Sequence, residues 1–289
     1  MTVPRMTSVI MVSYHTGPVL QQAIDAVLAQ SVDVELILVN NGNPPEVEAD
    51  LIARFKDEPL VRVMTGHGNI GFGRACNLGA RVAQGDHLLF LNPDSVLPPD
   101  ALTKLYETAH RLKRPFMVGA RLLDGEGHDQ RGCRRALLTP MTAFIEAFHL
   151  HRFFPKIRLN FNEEPLPKAL TPMPAISGAF MFIPTIDFFL LRGFDEGFFL
   201  HVEDLDLCWR FRQAGGEIYF DPSIVVTHLG GTSEVTSLFI EKQKAIGFVR
   251  YFEQNFTQTT PALLLKVLKM AIWARYGLKA LTSYRPRRR

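Results

Sequence analysis

Four short apolar runs in the first 120 residues, "SVIMVSY" (8–14), "VELILVN" (34–40), "VRVMT" (61–65) and "HLLFLN" (87–92), alternate with segments of helical period. Each run is bounded by turn or polar residues, the signature of a strand buried on both faces. Between them, Leu20, Ile24, Val27 and Leu28 recur behind Thr16 and Pro18. Leu51, Ile52 and Phe55 follow Pro44 and Pro45, and Phe72, Ala75, Cys76, Gly79 and Ala80 follow a glycine turn. Strand, helix, strand at this spacing calls for parallel pairing through crossover helices that cover both faces. The predicted fold is therefore α/β, an open, mostly parallel, doubly wound sheet. Such sheets bind ligands beyond the carboxyl ends of their strands.

Those ends are where polar residues collect. The first run closes on Ser13 and Tyr14, the second on "NNGN" (40–43), and the third leads into "GHGNIGFGRACNLG" (66–79); the fourth closes on "NPD" (92–94). Any one loop favours Asn, Gly, Pro and Asp for turn chemistry alone. Four successive strand ends with this content point to a site. Further strands are expected at 117–124, 177–184, 217–222 and 224–229. Residues 130–172, rich in Arg, Pro, Phe and His without a clean period, are too long for a plain loop, so a mobile lid or partner-binding segment is expected.

The net charge of +3 conceals an asymmetry: no acid follows Glu253, whereas eight basic residues do. The first 253 residues hold 24 basic against 29 acidic side chains, which argues against a body that grips nucleic acid. Three widely spaced cysteines, Cys76, Cys133 and Cys208, suggest neither a disulfide framework nor a zinc ligand set, and fit a reducing cytoplasm. The run Val9 to Val12 is too short for a signal peptide. Over 261–281, Leu263, Val267, Met270, Ala271, Ala274 and Leu278 share one helical face, with Lys266, Lys269, Arg275 and Lys279 around it. Charges this frequent exclude a bilayer span. Two readings stay open: a helix lying on an anionic membrane, helped by the terminal "RPRRR", or one docked on the protein body.

Several side chains can carry chemistry. Asp94 is the one carboxylate of its loop, and a hard cation takes one or two carboxylates while substrate phosphates and water fill its shell. His228, in "IVVTHLGG", can supply an imidazole ligand, and His201 is the weaker candidate. "GNIGFGRACNLG" is not a dinucleotide fingerprint, because no G-x-G-x-x-G joins the first strand to its helix. "FFLHVEDLDLCWRFRQAGG" (198–216) puts Glu203, Asp204 and Asp206 at a helix start, where acids face the positive dipole end or, at a pocket mouth, take a proton. Asp206 and Arg210 are spaced to pair along that helix, as scaffold for Asp204.

The motifs Ser13-Tyr14, Asn40-Asn41, "NIGFGRACNLG", "NPD", "SGAFMFI", "GFDEGFFLHVEDLDLCWRFRQAGG" and "VTHLGG" occur in an order that resembles family-two inverting glycosyltransferases of the GT-A fold. Bacterial rhamnosyltransferases of O-antigen or cell-wall glycan synthesis are the most similar group, and the resemblance spans residues 7–235. It implies a GT-A catalytic domain over 1–235, with a nucleotide-binding half (1–120) and an acceptor half (121–235), and leaves 236–289 as a helical, basic extension. It implies a nucleotide-diphosphate-sugar donor, Mg²⁺ or Mn²⁺ as cofactor, and a single inverting displacement. By position, Asp94 and His228 match the metal contacts, Asp204 the catalytic base and Glu203 its acidic neighbour. Ser13, Tyr14, Asn40, Asn41, Asn69, Arg74, Asn77 and Asn92 fall at the donor, and Ser177, Gly178 and Ala179 on the sugar and acceptor side.

Two departures stand out. Asn40 replaces an Asp of many relatives, which leaves base selectivity open, and the metal motif lacks its first acid. The resemblance implies L-rhamnose from dTDP-rhamnose, passed to a hydroxyl of a glycan or lipid-linked saccharide by an enzyme peripheral to the inner face of the plasma membrane, with no nucleic-acid partner. The alternatives are a UDP-sugar donor, a nucleotidyltransferase making the sugar nucleotide, and a non-catalytic membrane adaptor. A nucleotidyltransferase should carry a glycine- and basic-rich loop after the first strand, and "SYHTGPV" is not one.

Overall fold

The computed structural model describes residues 6–147, 150–154, 157–231 and 235–283. The first half follows the alternation read from the sequence: β1 (Thr7–Ser13), α1 (Val19–Leu28), β2 (Val34–Asn40), α2 (Pro45–Arg54), β3 (Val61–Met64), α3 (Phe72–Ala80) and β4 (His87–Leu91). Every residue of β1, β2 and β4 is buried, which explains why these runs show no alternation. All three pairings among β1 to β4 are parallel, and the register aligns Ser13 with Asn40.

The chain continues through β5 (Ser95–Val96), α4 (Ala101–Arg111), β6 (Phe116–Leu123), α5 (Pro140–Ala147), β7 (Thr171–Pro172), β8 (Phe180–Pro184), α6 (Thr185–Leu190), α7 (Glu203–Gln213), β9 (Glu217–His228), α8 (Ser237–Phe256) and α9 (Ala262–Ser283). The strand order is β3-β2-β1-β4-β8-β6-β9-β5, with β7 pairing β9 at the side. The parallel rule stops at β4. Strand β8 runs antiparallel to both β4 and β6, so Leu91 pairs with Phe180 and the loop after β4 lies beside the start of β8.

The runs expected as two strands at 217–222 and 224–229 form one strand, β9. Its partner register jumps from Ala120–Asp221 to Arg121–Val225, a bulge that absorbs the extra residues. Buried Asp221 secures the bulge by accepting from Ser223 N at 3.0 Å, Ser223 Oγ at 2.7 Å and Thr108 Oγ1 at 2.7 Å. The 130–172 excursion is packed rather than featureless: Cys133, Arg134, Leu138 and Ile145 are buried, and Arg135 bridges both Asn160 and Ala175.

Tyr251, Phe252 and Phe256 of α8 and Leu265 and Leu268 of α9 belong to the same core as the sheet. Helix α9 docks through Leu265, Leu268 and Ile272, and Lys269 pairs with Glu253. Its other side leaves Leu263, Met270, Trp273 and Leu278 exposed, so part of the apolar face read from the sequence faces outward. Among the described residues no helix is long and apolar enough to cross a membrane. Arg285, Arg287, Arg288 and Arg289 lie outside the described residues.

Candidate active site

Two groups of polar side chains meet where β4 and β9 end and β8 begins. The first is set by β5, whose Ser95 pairs with His228 of β9. That pairing puts Asp94 Oδ1 3.2 Å from His228 Nε2, with Asn92 Nδ2 3.1 Å from the same nitrogen. Gln130 fixes the imidazole from behind: its Nε2 donates to the His228 carbonyl, which turns its Oε1 toward Nδ1 at 2.6 Å. An acceptor there places the ring proton on Nδ1 and leaves the Nε2 lone pair facing Asp94.

A carboxylate oxygen and an imidazole nitrogen that converge in this way fit a divalent cation. Neighbouring octahedral ligands at about 2.1 Å from Mg²⁺ lie about 3 Å apart. Among the described residues no group of three His, Cys, Asp or Glu side chains forms a metal site. Two protein donors suit a cation that completes its shell with water and phosphate oxygens.

The second group surrounds Asp204 in the first turn of α7. Its Oδ2 accepts from Arg135 Nη2 at 2.5 Å and Gly178 N at 3.0 Å, and its Oδ1 accepts from Leu205 N at 2.8 Å. Burial pushes this carboxyl up, but the Arg135 guanidinium and the two N–H donors outweigh burial and hold it below the usual range. The carboxylate is thus ionised. Gly178 lets the backbone approach closely, since a Cβ there would stand 3.0 Å from the Asp204 Cβ. Because Asn92 N donates to Ala179 O at 3.0 Å, the short segment Ser177–Ala179 joins the two groups.

Glu203 has the opposite surroundings. It is 6% exposed, its Oε2 has no hydrogen-bond partner, and burial with Asp204 nearby pushes its carboxyl up to about 8. Neighbouring acids on one helix turn therefore hold opposite protonation states near neutral pH. Asp206 is fully buried, accepts from Arg210 Nε at 2.7 Å and Asn255 Nδ2 at 3.1 Å, and pins α7 to α8, the scaffold role expected. His201 and Val202, just before Glu203, have φ of 66° and 75°. For β-branched Val202 this is a strained conformation, held by its burial. Burial, with Lys244 alongside, pushes the His201 imidazole down to about 4.

The residues expected at the donor divide into two sets. At the ends of β1 and β2, Asn43 Nδ2 donates to Ser13 Oγ at 3.0 Å and to Asn40 Oδ1 at 2.6 Å, and Asn40 Nδ2 donates to Glu48. Asn41 reaches Asn69 at 3.1 Å, and Tyr14 packs edge-on against His15. A cavity of about 560 Å³ lined by His15, Thr16, Asn43 and Val47 opens beside this cage. On α3, Arg74 pairs with Glu196 at 2.9 Å, and both ends of the Asn77 amide hold the Phe194 backbone. These two side chains fasten the loop before α7. Gly71 makes the same junction: its φ is 87°, and a Cβ would meet Phe199 O at 2.6 Å.

The sequence reading missed Arg135, Gln130 and Glu196, which orient Asp204, His228 and Arg74. "RGCRR" (131–135) shows a basic cluster in the irregular excursion, but nothing local names its partner 69 residues away.

The fold is of the GT-A class. Solved structures alike over nearly the whole chain are GalNAc-T7 with UDP, GalNAc and Mn²⁺ (TM-score 0.62, 17% identity, 99% of this chain and 59% of that one) and the mannosyltransferase PcManGT from Pyrobaculum calidifontis with GDP-Man and Mn²⁺ (TM-score 0.60, 15% identity, 98% and 75%). Residues 8–164 match Glycosyl transferase family 2, and the chain belongs to that family. It is 27% identical over 237 residues to the N-acetylglucosaminyl-diphospho-decaprenol L-rhamnosyltransferase of Mycobacterium tuberculosis (strain ATCC 25618 / H37Rv), covering 76% of this chain and 75% of that protein. It is 26% identical over 212 residues to rhamnosyltransferase WbbL of Escherichia coli (strain K12), covering 66% and 76%. The protein is a rhamnosyltransferase-like glycosyltransferase, and the nucleotidyltransferase and adaptor readings give way to this membership.

Proposed function

We propose that this protein is an inverting rhamnosyltransferase that moves L-rhamnose from dTDP-rhamnose to a hydroxyl of a lipid-linked saccharide in bacterial cell-surface glycan synthesis. The observation that carries the reading is the pairing, across Ser177–Ala179, of an ionised carboxylate at Asp204 with a convergent carboxylate and imidazole at Asp94 and His228. In this reading residues 1–120 hold the donor and 121–235 the acceptor and base. The relatives' printed activities support the sugar and the lipid-linked acceptor.

Asp204 takes the acceptor hydroxyl proton as the oxygen attacks the anomeric carbon. The bond from that carbon to the phosphate oxygen breaks, and the nucleoside diphosphate departs with the electron pair from the opposite face. Asp94 and His228 would hold a divalent cation, Mg²⁺ or Mn²⁺, which would supply charge to stabilise the departing diphosphate. Gln130 keeps the His228 proton on Nδ1, and Arg135 keeps Asp204 ionised. The donor sits over the β1 and β2 ends near Ser13, Tyr14, Asn40, Asn41, Asn69 and Asn92. Attachment to the inner face of the membrane through the exposed apolar side of α9 and the basic tail accords with a lipid-linked acceptor.

Thermal unfolding with thymidine, uridine, guanosine and adenosine diphosphates, each with Mg²⁺, Mn²⁺ or EDTA, tests the donor. A ligand at 100 times its Kd adds about 2.7 kcal/mol. A metal-dependent rise with thymidine diphosphate alone is expected; a rise with uridine diphosphate alone would move the donor to a UDP-sugar.

A further inference from the structure

A groove of about 410 Å³ lies between α5, α8 and α9. Its walls are Leu138 and Leu159 from the 130–172 excursion, Phe248 and Phe252 from α8, and Leu268 and Ile272 from α9. The groove also holds the Arg131–Glu146 pair at 3.6 Å, but its apolar walls suit a hydrocarbon chain.

The rim has the opposite character. Glu241 lies among three cations, Lys279 Nζ at 2.9 Å, Arg275 Nη2 at 3.0 Å and Lys244 Nζ at 3.6 Å. One carboxylate cannot balance three cations, so this edge of the groove keeps an excess of positive charge that complements a diphosphate.

The groove wall is also tied to the Asp204 pocket. Asn160 in its wall bridges the backbone of Arg135, whose guanidinium holds Asp204. Helix α8 packs against the segment that leads into Asp204: a Cβ at Gly247, one turn past Lys244, would stand 3.2 Å from the His201 carbonyl. On its outer side α9 exposes Leu263, Met270, Trp273 and Leu278, apolar surface next to the groove wall.

We propose that this groove binds the hydrocarbon chain of a polyprenyl-diphosphate-linked acceptor, with the diphosphate at the cation cluster around Glu241 and the saccharide at Asp204. The assignment rests on the lipid-linked reading of the acceptor and adds to it a site and an orientation. The apolar chain, the anionic diphosphate and the sugar hydroxyl of such a molecule each have a counterpart on the protein, in the apolar walls, the cation cluster and the carboxylate.

The test is steady-state transfer from dTDP-rhamnose by the full chain to two acceptors with one head group, N-acetylglucosaminyl diphosphate, esterified with farnesyl or with methyl. The farnesyl acceptor is expected to have a KM lower by about a hundredfold or more. Ala271→Trp, which fills the groove, is expected to raise the farnesyl KM about tenfold and leave the methyl KM and the donor KM unchanged. Equal KM values for the two acceptors, or an equal rise for both in Ala271→Trp, would overturn the groove assignment. Independently of any variant, a farnesyl diphosphate carrying a terminal benzophenone should label peptides containing Phe248 or Ile272, and labelling confined to other segments would also overturn it. Transfer to a lipid-free oligosaccharide with none to either diphosphate acceptor would instead sink the lipid-linked reading, a failure separable from that of the groove.

Discussion

The polar cage at the ends of β1 and β2 and the pocket around Asp204 solve the same problem, holding polar groups in a buried place, by different means. The cage is largely neutral: Ser13, Asn40 and Asn43 hydrogen-bond one another within about one strand-helix-strand unit. The Asp204 pocket is ionic, and its partners Arg135 and Gly178 lie 69 and 26 residues away. Losing one neutral partner costs the desolvation of an amide or hydroxyl. Losing one member of a buried ion pair strands a charge, which costs more. The cage should therefore tolerate change in its details, whereas the Asp204 pocket should not.

The largest effect expected is that of Asp204→Asn, which keeps the shape but removes the proton acceptor. Transfer should fall by about 10²- to 10⁴-fold, while the thermal shift produced by the nucleotide diphosphate stays as in the parent protein. A variant that retained full activity would remove the base assignment and the contrast with it.

Arg135→Gln attacks the same pocket through its cation. Loss of the partner should destabilise the protein by about 3–5 kcal/mol, read by denaturant unfolding. The sign of the pH effect follows from the lowered carboxyl. Without the guanidinium, burial dominates and the Asp204 pKa rises, so the acidic limb of kcat/KM moves to higher pH. A loss of stability with an unmoved pH profile would reduce Arg135 to packing.

Asn43→Ala probes the cage. It should cost about 1–3 kcal/mol and leave the pH profile of transfer in place. An effect as large as that of Arg135→Gln would erase the distinction between neutral and ionic ends.

Glu203→Gln acts through the pH dependence of stability. Burial raises the folded pKa from an ordinary 4.5 to about 8, so the protonated form favours the fold at low pH. That contribution is full below the unfolded pKa and is lost as pH rises through the folded one. The Tm of Glu203→Gln relative to the parent should thus climb steadily from about pH 5 to pH 8. A margin that shrinks over that range would mean Glu203 is ionised in the fold.

The sheet's first half was legible because its strands are buried on both faces and its crossovers are helical, so period and length alone separate β1 to β4 from α1 to α3. The second half was less so. Strand β9 reads as two runs because Pro222 and Ser223 look like a turn, and only the side chain of Asp221, held from Thr108 on α4, makes them a bulge. Asn77 and Arg74 carry the residue types of a nucleotide contact, yet here they fasten the Phe194–Glu196 loop, and residue type cannot announce that distinction.

The sequence alone determined the α/β class, the strand ends where the polar residues gather, and the identity of Asp94, Asp204 and His228 as the groups worth watching. These follow from period, turn chemistry and motif order, which are local along the chain. The tertiary structure decided the rest: β8 reverses direction beside β4, β5 brings Asp94 to His228, and the irregular excursion delivers Arg135 to Asp204. Ionisation state belongs to this second group, because burial and a partner far away in the chain set it, and neither is written at the residue that titrates.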